Sequence, residues 1–476
     1  MFNRKTLPTR SGKLQTAQID DYNQIEQLSY NVRVTENGIE DGYGFERLTL
    51  PTSALSPEQT FSLNATQIYG LWQFEWFDNT ANVDKYYIYY MNENREIKYI
   101  NILSKKTIYV TNITLNSYTP SCATFRINND NDMIFFSSET DQTIGHGGSG
   151  KQVFENIPKF ISGCWHGPYL FLVTTGAANK LIYSRSNIDI WNDDNTEEVV
   201  IPDVRGGMKK VISVNDNLYL FYEYGIVKLS LYSTDAKVAY SHIFNSSAYI
   251  YPNTIAKCGN SIYFLTSEGI FSLEGGQVKK LAAQSEYICE SNSKACGECY
   301  DDKYFLACKC NFADGKTIGE ENTSNHQNNA LVVLDLKTQK FSYTRGIDIV
   351  SLLDIKTPQV QKLCAIFRGN SKSLIGQLTT DGKFFGEQLP KCWQSKPLDF
   401  GSLDEKEIVE IGFKSGAVGD MSISTLDRAK SIMLSNGQPQ PVKCKAKVLG
   451  EVFTLSFSSS SSLKISYPKI KVKHFE

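Results

Sequence analysis

The sequence predicts an all-β chain: a β-propeller of roughly seven or eight blades with a C-terminal antiparallel β-sandwich. Three observations predict it. Aromatic residues are abundant, with 26 Tyr, 26 Phe and 5 Trp among 476 residues, and aromatics fit pleated, half-buried surfaces. Short runs of Tyr, Phe, Ile and Val are bounded throughout by Asn, Asp, Gly and Ser, while helical patterning is scarce. Pairs of these runs recur about every 40 residues, the length of one four-stranded blade.

The recurring unit is a strand, a tight turn and a second strand. Asn217–Leu229 aligns with Asn260–Leu273, the turns closed by Gly225 and Gly269. Asn329–Phe341, Asp132–Gly145 and Pro168–Tyr183 are looser copies. A single blade cannot bury both of its faces, so radial stacking of neighbours supplies the missing burial. No Trp-Asp dipeptide marks the copies, which argues against a WD40 array.

The expected boundaries are an N-terminal arm and ring-closing segment over 1–60, the propeller over 61–390, and an oligomerising sandwich over 391–476. Asn37-Gly38 and Asp41-Gly42 signal tight turns in the first segment. Past Pro390 the pattern changes. Strand candidates follow at Lys406–Lys414, Met421–Thr425, Val442–Val448, Glu451–Ser458 and Leu463–Val472, with Phe453, Leu455 and Phe457 alternating. Ser458–Ser462 reads as a polar hairpin tip. This C-terminal piece carries its own alternating strands and is expected to fold alone.

Lys and Arg number 49 against 51 Asp and Glu, a net charge of -2, so no basic nucleic-acid footprint covers the chain as a whole. No apolar run is long enough for a membrane-spanning helix, and Met1–Asp21 lacks the apolar core of a secretory signal. The 11 cysteines are therefore expected as reduced thiols.

Candidate chemistry is sparse. Cys289, Cys296, Cys299, Cys308 and Cys310 crowd one stretch, and Cys296-Gly-Glu-Cys299 has the knuckle spacing of a structural zinc site. The competing reading is a blade strand with buried thiols, so no metal and no cofactor is expected. Gly145–Gly150 is glycine-rich but lacks the Lys-Ser/Thr of a phosphate loop, and reads as an inter-blade or pore loop. The 5 histidines are scattered, and no nucleophile motif occurs. An enzyme is not expected. Lys469, Lys471 and Lys473 alternate on the last strand, as lysines do on protected sheet edges. Together with Phe413, Phe453, Phe457 and Val472 they are the candidates for contact with a neighbouring subunit.

Several phrases, in order, resemble tailed-bacteriophage propeller proteins of the tail nozzle and head-to-tail stabilisation type. They are Asn37–Phe45, Ile182–Trp191, Arg205-Gly206, the Leu218–Leu229 and Ile262–Leu281 hairpins, Ser267–Gly275, and Lys396–Gly401. The asparagine-tryptophan pair of that family stands reversed here, as Trp191-Asn192, and Cys289–Cys310 has no counterpart in it. The resemblance implies a non-enzymatic structural virion protein in the tail, assembled in the host cytoplasm. It further implies a homo-hexameric nozzle or closing ring, with other virion head-tail or tail proteins as neighbours. DNA would leave through the ring without sequence-specific binding. Two other expectations stand beside it: a propeller that binds a receptor or glycan, marked by aromatics at a channel mouth, and a hydrolytic propeller, marked by convergent channel carboxylates.

Overall fold

Four of the five recurring hairpins form the middle of a four-stranded antiparallel sheet, whereas Asn329–Phe341 joins the third and fourth strands of its blade. The computed structural model describes residues 12–475 except 20–25, 52–57, 61–62, 64, 79–81, 103–107, 126–132, 148–149, 168, 177–178, 185–195, 202–204, 232–237, 282–286, 313–327, 370–371, 417 and 435–440. Blade 1 comprises Ile68–Asp78, Val83–Asn92, Glu96–Asn101 and Ile108–Thr114. Blade 2 comprises Ser121–Phe125, Met133–Ser137, Ile144–Gly147 and Gly150–Val153. Blade 3 comprises Phe160–His166, Tyr169–Thr174, Lys180–Ser184 and Thr196–Val200. Blade 4 comprises Met208–Val214, Asn217–Tyr222, Gly225–Leu231 and Val238–Asn245. Blade 5 comprises Ala256–Cys258, Ser261–Thr266, Gly269–Glu274 and Gln277–Lys280. Blade 6 comprises Cys296–Tyr300, Lys303–Cys308, Ala330–Asp335 and Phe341–Arg345. Blade 7 takes Ile349–Lys356, Gln361–Phe367 and Leu374–Thr379, and its fourth strand, Gly44–Arg47, comes from the start of the chain.

The second strand of most blades reads as an unbroken apolar run because both of its faces are buried. Met133–Ser137 is the simplest case. Ile134 and Phe136 pack into the core between blades 1 and 2, while Met133 and Phe135 pack into the core between blades 2 and 3. Tyr169–Thr174 repeats the division: Leu170 and Leu172 face blade 2, Phe171 and Val173 face blade 4. One apolar cluster fills each junction, including that between blade 7 and blade 1, where Ile355, Cys364 and Ile366 meet Ile68, Leu71 and Ile88. The first strands lie nearest the axis. Ile349–Lys356 packs beside Ile68–Asp78, and Lys356 N donates to Gln73 Oε1 at 2.8 Å. The glycine-rich stretch is mostly strand: Gly145–Gly147 belongs to one blade 2 strand, Gly150 begins the next, and 148–149 between them lie outside the described residues. A Cβ on Gly145 would meet Phe154 at 2.9 Å, so the close packing there requires glycine.

The sandwich draws on both ends of the chain. One sheet runs Gly12–Gln18, Lys469–Phe475, Lys406–Phe413, Val442–Gly450. The other runs Glu26–Tyr30, Lys391–Ser395, Thr454–Ser459, Gly419–Ser424, Ala429–Leu434. Ile408, Ile411, Met421, Leu455, Ile470 and Trp393 meet between them. Two strands thus precede the propeller in sequence, and a piece starting at Lys391 would leave Lys391–Ser395 and Lys469–Phe475 each short of a partner. Val32–Thr35 and Gly38–Asp41 form a hairpin that extends blade 6 and pairs with Lys464–Ser466 of the sandwich region.

The thiols are not all free. Cys258 on blade 5 is disulfide-bonded to Cys299 on blade 6, with a Cα–Cα distance of 5.4 Å, which corrects the expectation of fully reduced cysteines. The bond closes a segment of 41 residues and staples neighbouring innermost strands. Restricting the unfolded chain in this way contributes at most about 4 kcal/mol. Non-reducing peptide mapping should find Cys258 linked to Cys299, and reduction or Cys258→Ser should lower the melting temperature. Two free thiols at these positions and an unchanged melting temperature on reduction would refute the staple.

Candidate functional site: the wall of the propeller channel

In a closed propeller the innermost strands line the axis, and their polar side chains decide what the channel can do. Three ionisable residues from three blades converge here. Lys210 lies on Met208–Val214 of blade 4, Glu298 on Cys296–Tyr300 of blade 6, and Asp354 on Ile349–Lys356 of blade 7. Glu298 Oε1 accepts from Cys299 N at 2.9 Å, and the carboxylate also accepts from the backbone of Asp354. Lys210 Nζ donates to Ile255 O at 2.8 Å and to Pro252 O at 3.5 Å, on the turn that enters blade 5. Asp354 Oδ1 is buried and accepts no hydrogen bond. Nearby on the wall, His166 Nδ1 and Ser213 Oγ lie 2.8 Å apart, joining blades 3 and 4.

The surrounding protein shifts all three groups towards neutrality. Burial raises Glu298 to about 7; the charge of Asp354 adds to this, while Lys210 and the two backbone N–H groups oppose it. Burial lowers Lys210 to about 8, and Glu298 opposes that shift. Burial raises Asp354 from the usual carboxylate range. Glu298 therefore exchanges a proton near neutral pH, next to a second carboxylate and a cation.

The cysteines do not form one ligand set. A spacing of three on a strand points Cys296 and Cys299 to opposite faces. Cys296 packs in the core between blades 6 and 7, and Cys299 is bonded to Cys258 in the core between blades 5 and 6. Cys308 and Cys310, two apart, share that second core with Sγ atoms 3.7 Å apart. Burial holds the Cys308 thiol well above its ordinary range, and Cys289 is raised by the same cause. Among the described residues no group of three or more His, Cys, Asp or Glu is placed to hold a metal ion.

The expected interface residues lie within the sandwich itself, the apolar ones in its core and the lysines on the surface of a central strand. Phe413, Phe453, Phe457 and Val472 are buried in the sandwich core. Lys469, Lys471 and Lys473 lie on a strand paired on both sides, with Gly12–Gln18 and with Lys406–Phe413, so the strand is not an edge. Lys471 Nζ pairs with Glu410 at 3.0 Å. The N-terminal strand is what covers the edge that the C-terminal sequence alone suggests.

The aromatics of blade 1 form a ladder. Tyr89 stacks on Tyr99, and Tyr99 on Tyr109, at 5.2 Å each. Tyr89 Oη lies 2.9 Å from Nδ1 of the buried His146 of blade 2, whose imidazole burial lowers to about 4 and keeps neutral. The ladder runs from the blade's second strand to its outermost one, away from the axis, from the buried Tyr89 through the half-buried Tyr99 to the exposed Tyr109. It packs blade against blade instead of furnishing a channel mouth.

No protein-family model matches the chain, and no curated protein matches it. Solved structures do. The chain is similar to BBS1N, from a crystal of its complex with ARL6DN soaked with mercury, at 8% identity and a TM-score of 0.42, covering 71% of this chain and 97% of that one. It is also similar to Kluyveromyces lactis Hsv2, at 9% identity and a TM-score of 0.33, covering 54% of this chain and 81% of that one. The propeller assignment stands on the chain's own sheets.

The proton on Glu298 has a consequence for stability. Its folded value, about 7, lies above the ordinary 4.5, so between these pH values the folded state binds more protons than the unfolded one. Stability therefore falls as pH rises through that window and levels off above it. Glu298→Gln removes the penalty. At about pH 9, where Lys210 is also largely neutral, the variant should be more stable than the parent by on the order of 2 kcal/mol, and at about pH 4.5 the two should match. Denaturant melts at both pH values check this; equal differences at both would show that Glu298 titrates normally.

Proposed function

We propose that the chain is a structural virion protein of a tailed phage or prophage, made in the host cytoplasm and built into the tail. It assembles there into a homo-hexameric nozzle or closing ring beside other head-tail or tail proteins. DNA passes through the assembled ring without sequence-specific binding, and the chain carries no enzymatic activity. The observation that carries this reading is the order of the family-like phrases, which run through a propeller and then a sandwich. The Ile182–Trp191 phrase lies partly outside the described residues, so the reading leans on Asn37–Phe45, the two repeated hairpins and Lys396–Gly401. The composition agrees: with a net charge of -2 the chain neutralises few phosphates, and little counterion release would hold DNA in place.

One observation favours a second reading, a hydrolytic propeller. Glu298 and Asp354 are neighbouring carboxylates on the channel wall, and Glu298 is held near the pKa of a general acid. Release of reducing sugar from host surface polysaccharide, lost in Glu298→Gln, would select it.

The structural reading is tested by electron microscopy of the purified chain in negative stain. Rings with a central hole and sixfold views are expected at micromolar concentrations. Isolated particles of about 50 kDa at every concentration would overturn the ring.

A further inference from the structure

One face of the sandwich carries a charge that the chain as a whole does not. In the sheet that runs Gly12–Gln18, Lys469–Phe475, Lys406–Phe413, Val442–Gly450, residues paired across strands share a face. Ile408, Ile411, Ile470 and Val472 take the inner face, in the sandwich core. The register sets the outer one. Gly412 pairs with Lys443 on one side and Lys469 on the other, Glu410 with Lys445 and Lys471, and Glu407 with Leu449 and Lys473. Lys447 is exposed where the register shifts. Six lysines thus stand in two columns with two glutamates between them, a local excess of four positive charges. The net charge of the whole chain is -2.

The glutamates do not neutralise this face. Lys471 Nζ pairs with Glu410 at 3.0 Å. The Glu410 carboxyl is held below its ordinary range, first by its hydrogen bond with Lys471 and then, against burial, by the charges of Lys471, Lys443 and Lys445. Three lysines therefore share one carboxylate. Lys443, Lys445, Lys447 and Lys469 are exposed and form no ion pair among the described residues. Protection of a sheet edge explains only part of the pattern. Val442–Gly450 is an edge, where lysines discourage further pairing. Lys469–Phe475 is paired on both sides, so its lysines have no edge to protect. Alternate residues of a strand lie about 7 Å apart, and strands two positions apart about 9.5 Å. Like charges so placed repel one another, and an anionic polymer laid on the face relieves the repulsion.

We infer that the two lysine columns, on Val442–Gly450 and Lys469–Phe475, bind the phosphate backbone of duplex DNA without regard to sequence. Duplex DNA carries one negative charge per about 1.7 Å of its axis, dense enough to meet both columns at once. Lysine meets phosphate as a point charge and reads no bases, and no arginine stands in either column. Phe475, at the end of its column, already lies under Lys473 Nζ, 5.2 Å from the ring centre, so it offers no open platform for unpaired bases. Few contacts keep the binding weak and salt-sensitive, which leaves the duplex free to slide. The inference rests on the reading of DNA as the polymer that passes the assembly, and it names the face that the DNA meets.

The test is fluorescence anisotropy of two short labelled duplexes of unrelated sequence, titrated with the full chain at a series of salt concentrations. With Lys443, Lys445, Lys447 and Lys469 in contact, the logarithm of the binding constant should fall against the logarithm of salt with a slope of about -3.6, alike for both sequences. A full-length variant carrying Lys443→Gln, Lys445→Gln, Lys447→Gln and Lys469→Gln changes only exposed positions and is checked for an unchanged melting temperature. Its affinity at low salt should be at least about tenfold lower, and its salt slope should shrink to about -1 or less in size. No duplex binding by the parent at low salt, or equal binding by parent and variant, would overturn the DNA face. Tighter binding of hyaluronate than of duplex at the same salt would overturn the choice of partner. Negative stain reads the ring separately. Monomers that bind duplex through these lysines would keep the face and overturn the ring, whereas rings that ignore duplex would keep the ring and overturn the face.

Discussion

The structure depends on the return of the N-terminal segment to the end of the propeller. Gly44–Arg47 supplies the last strand of blade 7, and Phe45 is buried against Phe367 with ring centroids 4.8 Å apart. Gln377 Nε2 donates to Glu46 Oε1 at 2.7 Å, across the same pair of strands. Without this strand, blade 7 would present an open edge. Asn31 ties the same segment to two other places. Its N donates to Tyr343 O at 2.7 Å, its Oδ1 accepts from Arg345 N at 2.7 Å, and its Nδ2 donates to Pro390 O at 2.6 Å. It does so at a positive φ of 58°, a conformation that asparagine tolerates better than most side chains. One residue thereby joins blade 6, the start of the chain and the entry to the sandwich.

That junction also holds a buried charge. Lys391, at the start of the sandwich, lies 3.4 Å from Asp41, and its side chain is fully buried. Burial lowers its pKa, while Asp41 opposes the shift. Asp41 in turn accepts from Leu463 N at 2.8 Å and Ser462 Oγ at 2.7 Å. A buried pair of this kind does little for net stability but is costly to break on one side. It fixes the sandwich on blade 6. Closure of the propeller and attachment of the sandwich thus share one set of residues.

The blades were legible because their physics is local. A strand buried on both faces must be apolar at every position, so Met133–Ser137, Tyr169–Thr174 and Asn217–Tyr222 stand out in the sequence. The contribution of residues 12–47 was not legible in detail. Those strands pair with partners more than 300 residues away, and no local pattern encodes a partner at that distance. The same blind spot made Lys469–Phe475 look like an edge. Alternation was read correctly there, but alternation cannot reveal that Gly12–Gln18 occupies the next position. In the channel, Glu298 sits inside Cys296-Gly-Glu-Cys299, whose spacing points to a metal knuckle, and Lys210 follows Lys209 with no motif around it. The available signal was positional: both lie on the first strand of a blade, the strand nearest the axis.

Native-state hydrogen exchange tests the closure most directly. If Gly44–Arg47 is the last strand of blade 7, its protected amides should open with the same free energy as those of Leu374–Thr379 and Gln361–Phe367, as one cooperative unit. Fast exchange across 44–47 while 361–379 remains fully protected would show that the propeller stands closed without the N-terminal strand, and would contradict the account.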